Sequence, residues 1–309
     1  MGTIGDGRLK LGIGTPYVDG VVTTGPAMRE YAQTVEACGV ESVWTVEHVI
    51  EADDYEPRYS YSATGHMPAR FIPMADPLEI LAFYAGCTST ITLGTAVMVA
   101  PLHSPVVLAK RVATLANLSG DRLVVGLGIG WQKEEYASVG VPYADRGARL
   151  DECIDAMRVL WADRPATYHG RFVTFDAVHL VPPPPRPTIP IILGGNTPPA
   201  IARAARVADG WYPHAMPPDQ FAEAAAFLRD EVRQAGRKPE DVPISVTPAS
   251  ASAEREMDVD WVQQYVTHGA TRLVIRPGVT SPDGVGAVRD KIDRYREQVL
   301  DRLVVPDLP

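Results

Sequence analysis

Glu41-Ser-Val-Trp-Thr-Val-Glu-His48 sets the fold class. Its centre is apolar and β-branched, and it ends in an acid and a histidine. A run of this kind suits a parallel strand covered on both faces. It is the second of eight strand-like runs, each followed by a helix-like run. The alternation predicts an α/β fold, a (β/α)8 TIM barrel. Glu47 and His48 then stand at the carboxyl end of a strand, the face where the loops converge on one pocket.

Working outward, strand 1 is expected over Leu9–Gly14 and strand 3 over Ile91–Met98. Strand 4 is expected over Arg122–Gly130 and strand 5 over Ile189–Gly195. Strands 6, 7 and 8 fall near Asp209–Pro213, Val242–Thr247 and Thr271–Arg276. The first helix runs from about Pro26, with Met28, Tyr31, Ala32, Val35 and Cys38 on one face and Gly39 as its stop. Asp76-Pro-Leu-Glu79 carries a cap, a first-turn proline and an acid at the positive end of the second helix. Ser104-Pro105 opens the third, and Leu150, Ile154, Met157 and Leu160 face the fourth toward the barrel. The last helix covers roughly 285–302. Two stretches interrupt the pattern. Residues 49–75 form a long polar and aromatic loop after strand 2. Residues 163–188, with a hairpin at Tyr168–Phe175 and a proline connector, are inserted between helix 4 and strand 5. Eight units fill the chain, so residues 1–309 are expected to form one domain.

A net charge of -9 over 309 residues argues against nucleic acid as the main partner. No apolar run is long enough to span a bilayer, and no signal region opens the chain, so a cytoplasmic protein with no membrane partner is expected. Cys38, Cys87 and Cys153 lack Cys-x-x-Cys spacing and are expected to be buried reduced thiols.

His48 is the sharpest candidate for chemistry, because a histidine at a strand end exchanges a proton near neutral pH. From position alone, a loop histidine that caps the next element fits equally well. Gly126-Leu-Gly-Ile-Gly130 lacks the full spacing of a dinucleotide fingerprint. Its glycines would let a flat ligand approach the backbone; tight barrel packing is the alternative, and only Gly130, at the strand end, leans toward function. Gly194-Gly-Asn-Thr-Pro198 leads into a proline-started helix whose free amides favour a phosphate, although an ordinary strand–helix turn explains it as well. Arg276 ends strand 8, where it would meet an anionic group or pair with an acid. His103 and His214 follow strands 3 and 6 as pocket-wall residues. The histidines show no metal-ligand spacing, so no metal is expected, and no Gly-x-Ser-x-Gly elbow supports Ser-His-Asp hydrolysis.

Taken together these stretches resemble the bacterial luciferase-like family, in its branch of deazaflavin oxidoreductases that use coenzyme F420. The likeness covers nearly the whole chain. It is carried by Ser42–His48, by Leu93-Gly-Thr-Ala-Val-Met-Val-Ala-Pro101 with His-Ser-Pro105 after it, and by Asn117-Leu-Ser-Gly-Asp-Arg-Leu-Val-Val-Gly-Leu-Gly-Ile-Gly-Trp131. Glu134-Glu-Tyr, Arg146-Gly-Ala-Arg-Leu-Asp-Glu152, Ile192–Gly195 and Ala208-Asp-Gly-Trp211 complete it.

The resemblance implies a TIM-like barrel with a flavin or deazaflavin laid across the strand ends. It implies a non-prolyl cis peptide at Ala96–Val97, in a bulge that backs the cofactor ring. Glu47 and His48 would lie by the ring, with the histidine as acid or base. Ile129, Gly130, Trp131 and Glu135 would line the pocket, and Gly194, Gly195 and Asn196 would approach the cofactor's phosphate side chain. The activity implied is hydride transfer between F420 and a small organic substrate, in a protein that pairs as a homodimer. Two departures matter. Members that oxidise sugar phosphates carry an acid where this chain has Trp131, which points to a flatter, apolar or aromatic substrate. The pair is Glu-His where many relatives have Asp-His. The resemblance assigns no role to the 49–75 loop, with Tyr55, Tyr59, Tyr61, His66 and Phe71, which is expected to act as a lid or substrate wall. The rivals are an FMN-dependent monooxygenase on the same barrel and a cofactor-less binding protein.

Overall fold

Eight parallel strands close into a barrel: Leu9–Gly14, Ser42–Thr45, Thr92–Thr95, Leu123–Gly128, Ile191–Gly194, Trp211–Tyr212, Ile244–Val246 and Ala270–Ile275, numbered 1 to 8 below. Strand 1 pairs with strand 8 (Ile13 with Ile275) and with strand 2 (Gly12 with Ser42), which closes the ring. This computed structural model describes residues 3–4 and 9–306, apart from 57, 58, 60, 63, 68 and 70. Each strand is followed by a helix packed outside the ring. The helix Pro105–Leu118 shows why: Leu108, Val112, Leu115 and Ala116 recur at helical spacing and are all buried. Each large side chain so buried contributes roughly 1.5–3 kcal/mol. Asp76 caps the helix Pro77–Ala85 as its sequence predicts, its side chain accepting from Leu78 N at 3.0 Å.

The lumen is filled, not open. Trp44 on strand 2, Ile192 on strand 5, Tyr212 on strand 6 and Val274 on strand 8 form one buried cluster. Strands 2 and 6 are not neighbours in the ring, so their edge-to-face contact, 5.5 Å between ring centroids, crosses the barrel. Gly94 makes room for the indole: a Cβ there would come within 2.4 Å of the Trp44 ring. Toward the amino ends, Arg272 lies 5.3 Å over Trp44 and grips Glu41 through two nitrogens, at 3.0 and 2.9 Å.

Strand 1 keeps its expected bounds and strand 8 its expected length, but strands 2 to 7 are shorter than their apolar runs. Strand 2 stops at Thr45 because the amide of Val46 donates to the Tyr17 hydroxyl at 2.6 Å instead of to a neighbouring strand. Glu47 and His48 therefore sit in the loop beyond the strand. Strand 3 breaks at a cis Ala96–Val97 peptide and resumes at Met98–Val99 against strand 4. A short helix, Lys133–Ser138, follows strand 4 and was not evident in the apolar pattern. The inserted stretch forms the expected hairpin, Ala166–His169 with Thr174–Val178. Its turn is held by Glu152, whose carboxylate accepts from the amides of Arg171, Phe172 and Val173 at 2.9, 2.7 and 2.6 Å. All three cysteines are free; Cys38 and Cys153 are buried, whereas Cys87 is only partly so.

Candidate functional site

At the carboxyl face the loops after strands 2, 3 and 4 meet through two carboxylate–histidine pairs. The first is Glu47 with His103. One Glu47 oxygen lies 2.9 Å from His103 Nε2, and the other accepts the Val99 amide at 2.6 Å. The carboxylate is buried and both oxygens are taken. It ties the loop after strand 2 to the chain just beyond the cis Ala96–Val97 peptide.

The second pair is His48 with Glu135, which comes from the short helix after strand 4. His48 Nδ1 is 3.1 Å from one Glu135 oxygen, and the other accepts the Val49 amide at 2.8 Å. Glu135 is wholly buried, while His48 keeps part of its ring exposed. An ionised carboxylate only accepts, so Nδ1 carries the hydrogen and Nε2 is the nitrogen left for exchange. The sequence placed Glu135 on the pocket wall against a cofactor. Its carboxylate orients His48 and its loop.

Trp131 anchors an aromatic wall. Its ring stands 6.1 Å from His48, 4.8 Å from Tyr55 and 5.1 Å from Tyr59. Tyr55 and Tyr59 belong to the 49–75 loop, so that loop folds over the mouth. Tyr59 reaches across to the far side, where its hydroxyl lies 2.9 Å from His214 Nε2, beyond strand 6. Burial pushes the Tyr59 phenol up to about 12, so it stays protonated and donates while His214 accepts.

The other predicted residues fall into two groups. Ala96, Val97, Ile129, Gly130, Trp131, Gly194, Gly195 and Asn196 are partly exposed at the strand ends, above buried strand interiors. Among these, the Asn196 side chain is engaged: it donates to the His214 carbonyl at 2.6 Å and accepts the His214 amide at 3.1 Å. It fastens the loop after strand 5 to the loop after strand 6. Arg276 stays apart from the two histidine pairs. Its side chain is half exposed, donates to the Ala253 carbonyl at 3.1 Å and comes within 3.9 Å of Glu256.

The glycines of strand 4 pack against strand 3, the alternative to ligand approach. A Cβ on Gly126 would fall 1.9 Å from the Thr95 carbonyl oxygen. Gly130, favoured for function, has φ +60°, and its Cβ would meet Val99 at 2.7 Å. Three contributions escaped the sequence: Tyr17, which ends strand 2; Gln132, whose fully buried carboxamide has no hydrogen-bond partner among the described residues; and Arg149, which lines a pocket with His103. None sits in an apolar period, and the one signal that could have found Gln132 is its place next to Trp131. Among the described residues no cluster of three or more His, Cys, Asp or Glu side chains is arranged to hold a metal ion. No helix among them is long and apolar enough to cross a membrane.

Comparison with known proteins adds the family. An uncharacterized protein of Mycobacterium tuberculosis is 33% identical over 240 residues, spanning 76% of this chain and 83% of that one. The 5,10-methylenetetrahydromethanopterin reductase of Archaeoglobus fulgidus is 28% identical over 272 residues, 86% of this chain and 74% of the reductase. In fold, the chain superposes on the coenzyme F420 dependent tetrahydromethanopterin reductase of Methanopyrus kandleri with a TM-score of 0.71 at 17% identity, covering 96% of this chain and all of the other. The family model for luciferase-like monooxygenases matches residues 19–298. The chain belongs to the luciferase-like monooxygenase family.

Proposed function

We propose that this protein is an F420-dependent oxidoreductase that moves a hydride between the deazaflavin and a small apolar or aromatic substrate. The observation that carries the proposal is the His48–Glu135 pair beside Trp131, set at a barrel mouth whose rim includes partly exposed residues at the ends of strands 3, 4 and 5. A flat cofactor suits this rim. The partly exposed bulge at Ala96–Val97 offers it a back, and the Gln132 carboxamide is a polar group with no hydrogen-bond partner among the described residues. When bound, F420 supplies the hydride acceptor or donor.

This chain's own residues supply position, dryness and a proton. His48 Nε2 gives or takes the proton that accompanies hydride transfer, while Glu135 holds the ring in one tautomer. Glu47 and His103 clamp the chain beyond Ala96–Val97, so the surface behind the cofactor keeps its shape. Trp131, Tyr55 and Tyr59 exclude water from above and offer aromatic faces to a flat substrate. An indole at position 131, rather than an acid, disfavours a sugar phosphate.

Titration of the purified apo-protein with F420 and with FMN, followed by cofactor fluorescence, tests this. Selective F420 binding supports the proposal and justifies screening alkenes, imines, ketones and alcohols. Selective FMN binding overturns it in favour of an oxygen-dependent monooxygenase. Binding of neither leaves a cofactor-less binding protein as the better account.

A further inference from the structure

A second pocket lies outside the barrel mouth, behind the loop that follows strand 3. It is a small, partly open recess lined by Pro101, His103, Arg149, Glu152 and Phe172, among others. Its lining sets one cation, Arg149, beside one carboxylate, Glu152. The guanidinium of Arg149 lies 4.3 Å over the Phe172 ring, and that of Arg171 lies 4.6 Å from the same ring. Arg171 is paired with Asp145 at 3.1 Å. Arg149 is not paired: among the described residues no carboxylate comes within ion-pair distance of it, and its Nε is buried with no acceptor. Glu152 lines the same pocket and keeps its charge, but its two oxygens are held by the three hairpin amides and make no ion pair with Arg149. A buried donor on a cation without an acceptor is costly, and a ligand oxygen removes the cost.

We propose that this pocket binds a small oxyanion, a carboxylate or phosphate group, on Arg149. The planar guanidinium offers two N–H groups side by side to such an anion, and stacking on Phe172 fixes its plane. His103 forms the shared wall: the ring that lines this pocket also holds Glu47, and through it the Val99 amide. An anion seated here stands one side chain away from the mouth, close enough to belong to a ligand that extends from it.

Inorganic phosphate is the probe. Thermal unfolding and calorimetric titration of the full chain with phosphate should show saturable stabilisation, and Arg149→Gln should weaken binding at least about tenfold, the scale of one charged hydrogen bond. Arg149→Lys, which keeps the charge but loses the fork, should fall between. Unfolding in phosphate-free buffer checks that both variants fold. Wild-type protein that gains nothing from phosphate, or Arg149→Gln protein that gains as much as wild type, overturns the proposal. None of these readouts needs F420, so they stand or fall apart from the proposed activity. Given a phosphate site on Arg149, the source follows from F420 against a deazaflavin lacking the phosphate side chain. Weaker binding of intact F420 alone by Arg149→Gln assigns the anion to the cofactor, and unchanged binding of both assigns it to the substrate.

Discussion

His48 and Glu135 are far apart in sequence and act as one unit in space. Replacing His48 by Asn keeps a polar side chain of similar size but removes the exchangeable proton. Turnover should fall by roughly 10²–10⁴ while cofactor affinity stays within a few-fold, read by steady-state kinetics and fluorescence titration. Glu135→Gln is the subtler variant. It leaves His48 in place but replaces an acceptor-only carboxylate by an amide that can also donate, so the ring loses its fixed tautomer and kcat should fall about tenfold or more with KM little changed. An unchanged kcat would assign Glu135 to loop support alone. Gly126→Ala probes packing rather than chemistry. Its methyl would sit 1.9 Å from a backbone oxygen that cannot swing aside, so stability should drop by about 3 kcal/mol, measured by denaturant unfolding. The sequence made His48 legible, since a histidine after an apolar run stands out. It did not reveal that Glu135 serves His48, nor that Glu47 serves His103, because both pairs form across loops whose folding no local pattern records.

Each strand could be found from its apolar run; strand 1 kept its expected bounds and strand 8 its expected length, whereas strands 2 to 7 were shorter than the run suggested. Periodicity reports burial, whereas a strand ends where its hydrogen bonds go elsewhere; at strand 2 they go to Tyr17, a side chain from the loop after strand 1. The foot of the barrel carries a prediction at this scale. Burial alone would raise the Glu41 pKa, but its bonds to Arg272 outweigh burial and hold the carboxyl below its ordinary value. The resulting stabilisation is full above the ordinary carboxylate range and is lost as pH falls through the folded value. Arg272→Met should therefore cost about 3 kcal/mol near neutral pH and flatten the acid side of the stability curve. Replacing both partners by apolar residues should cost less than replacing Arg272 alone. The lid offers a second test. Tyr59→Phe removes only the hydroxyl that meets His214, so hydrogen exchange over residues 49–75 should speed up while exchange in the barrel strands stays unchanged.

At the scale of the molecule, ring closure makes every strand depend on two neighbours, and we expect residues 9–306 to unfold as one unit. A single calorimetric transition whose van't Hoff and calorimetric enthalpies agree would fit; two resolved transitions would not. The closed ring was foreseeable from counting alternating runs. What fills it was not, because the lumen side chains come from strands distant in sequence and no window contains two of them. That filling has a consequence for traffic. With Trp44 and Tyr212 meeting across the middle and Arg272 bolted to Glu41 beneath them, the vessel is blind-ended. Whatever enters must leave by the same doorway. Two guests inside at once form a queue in which the deeper one waits for the shallower, so the order of departure is set by the architecture and not by relative affinity.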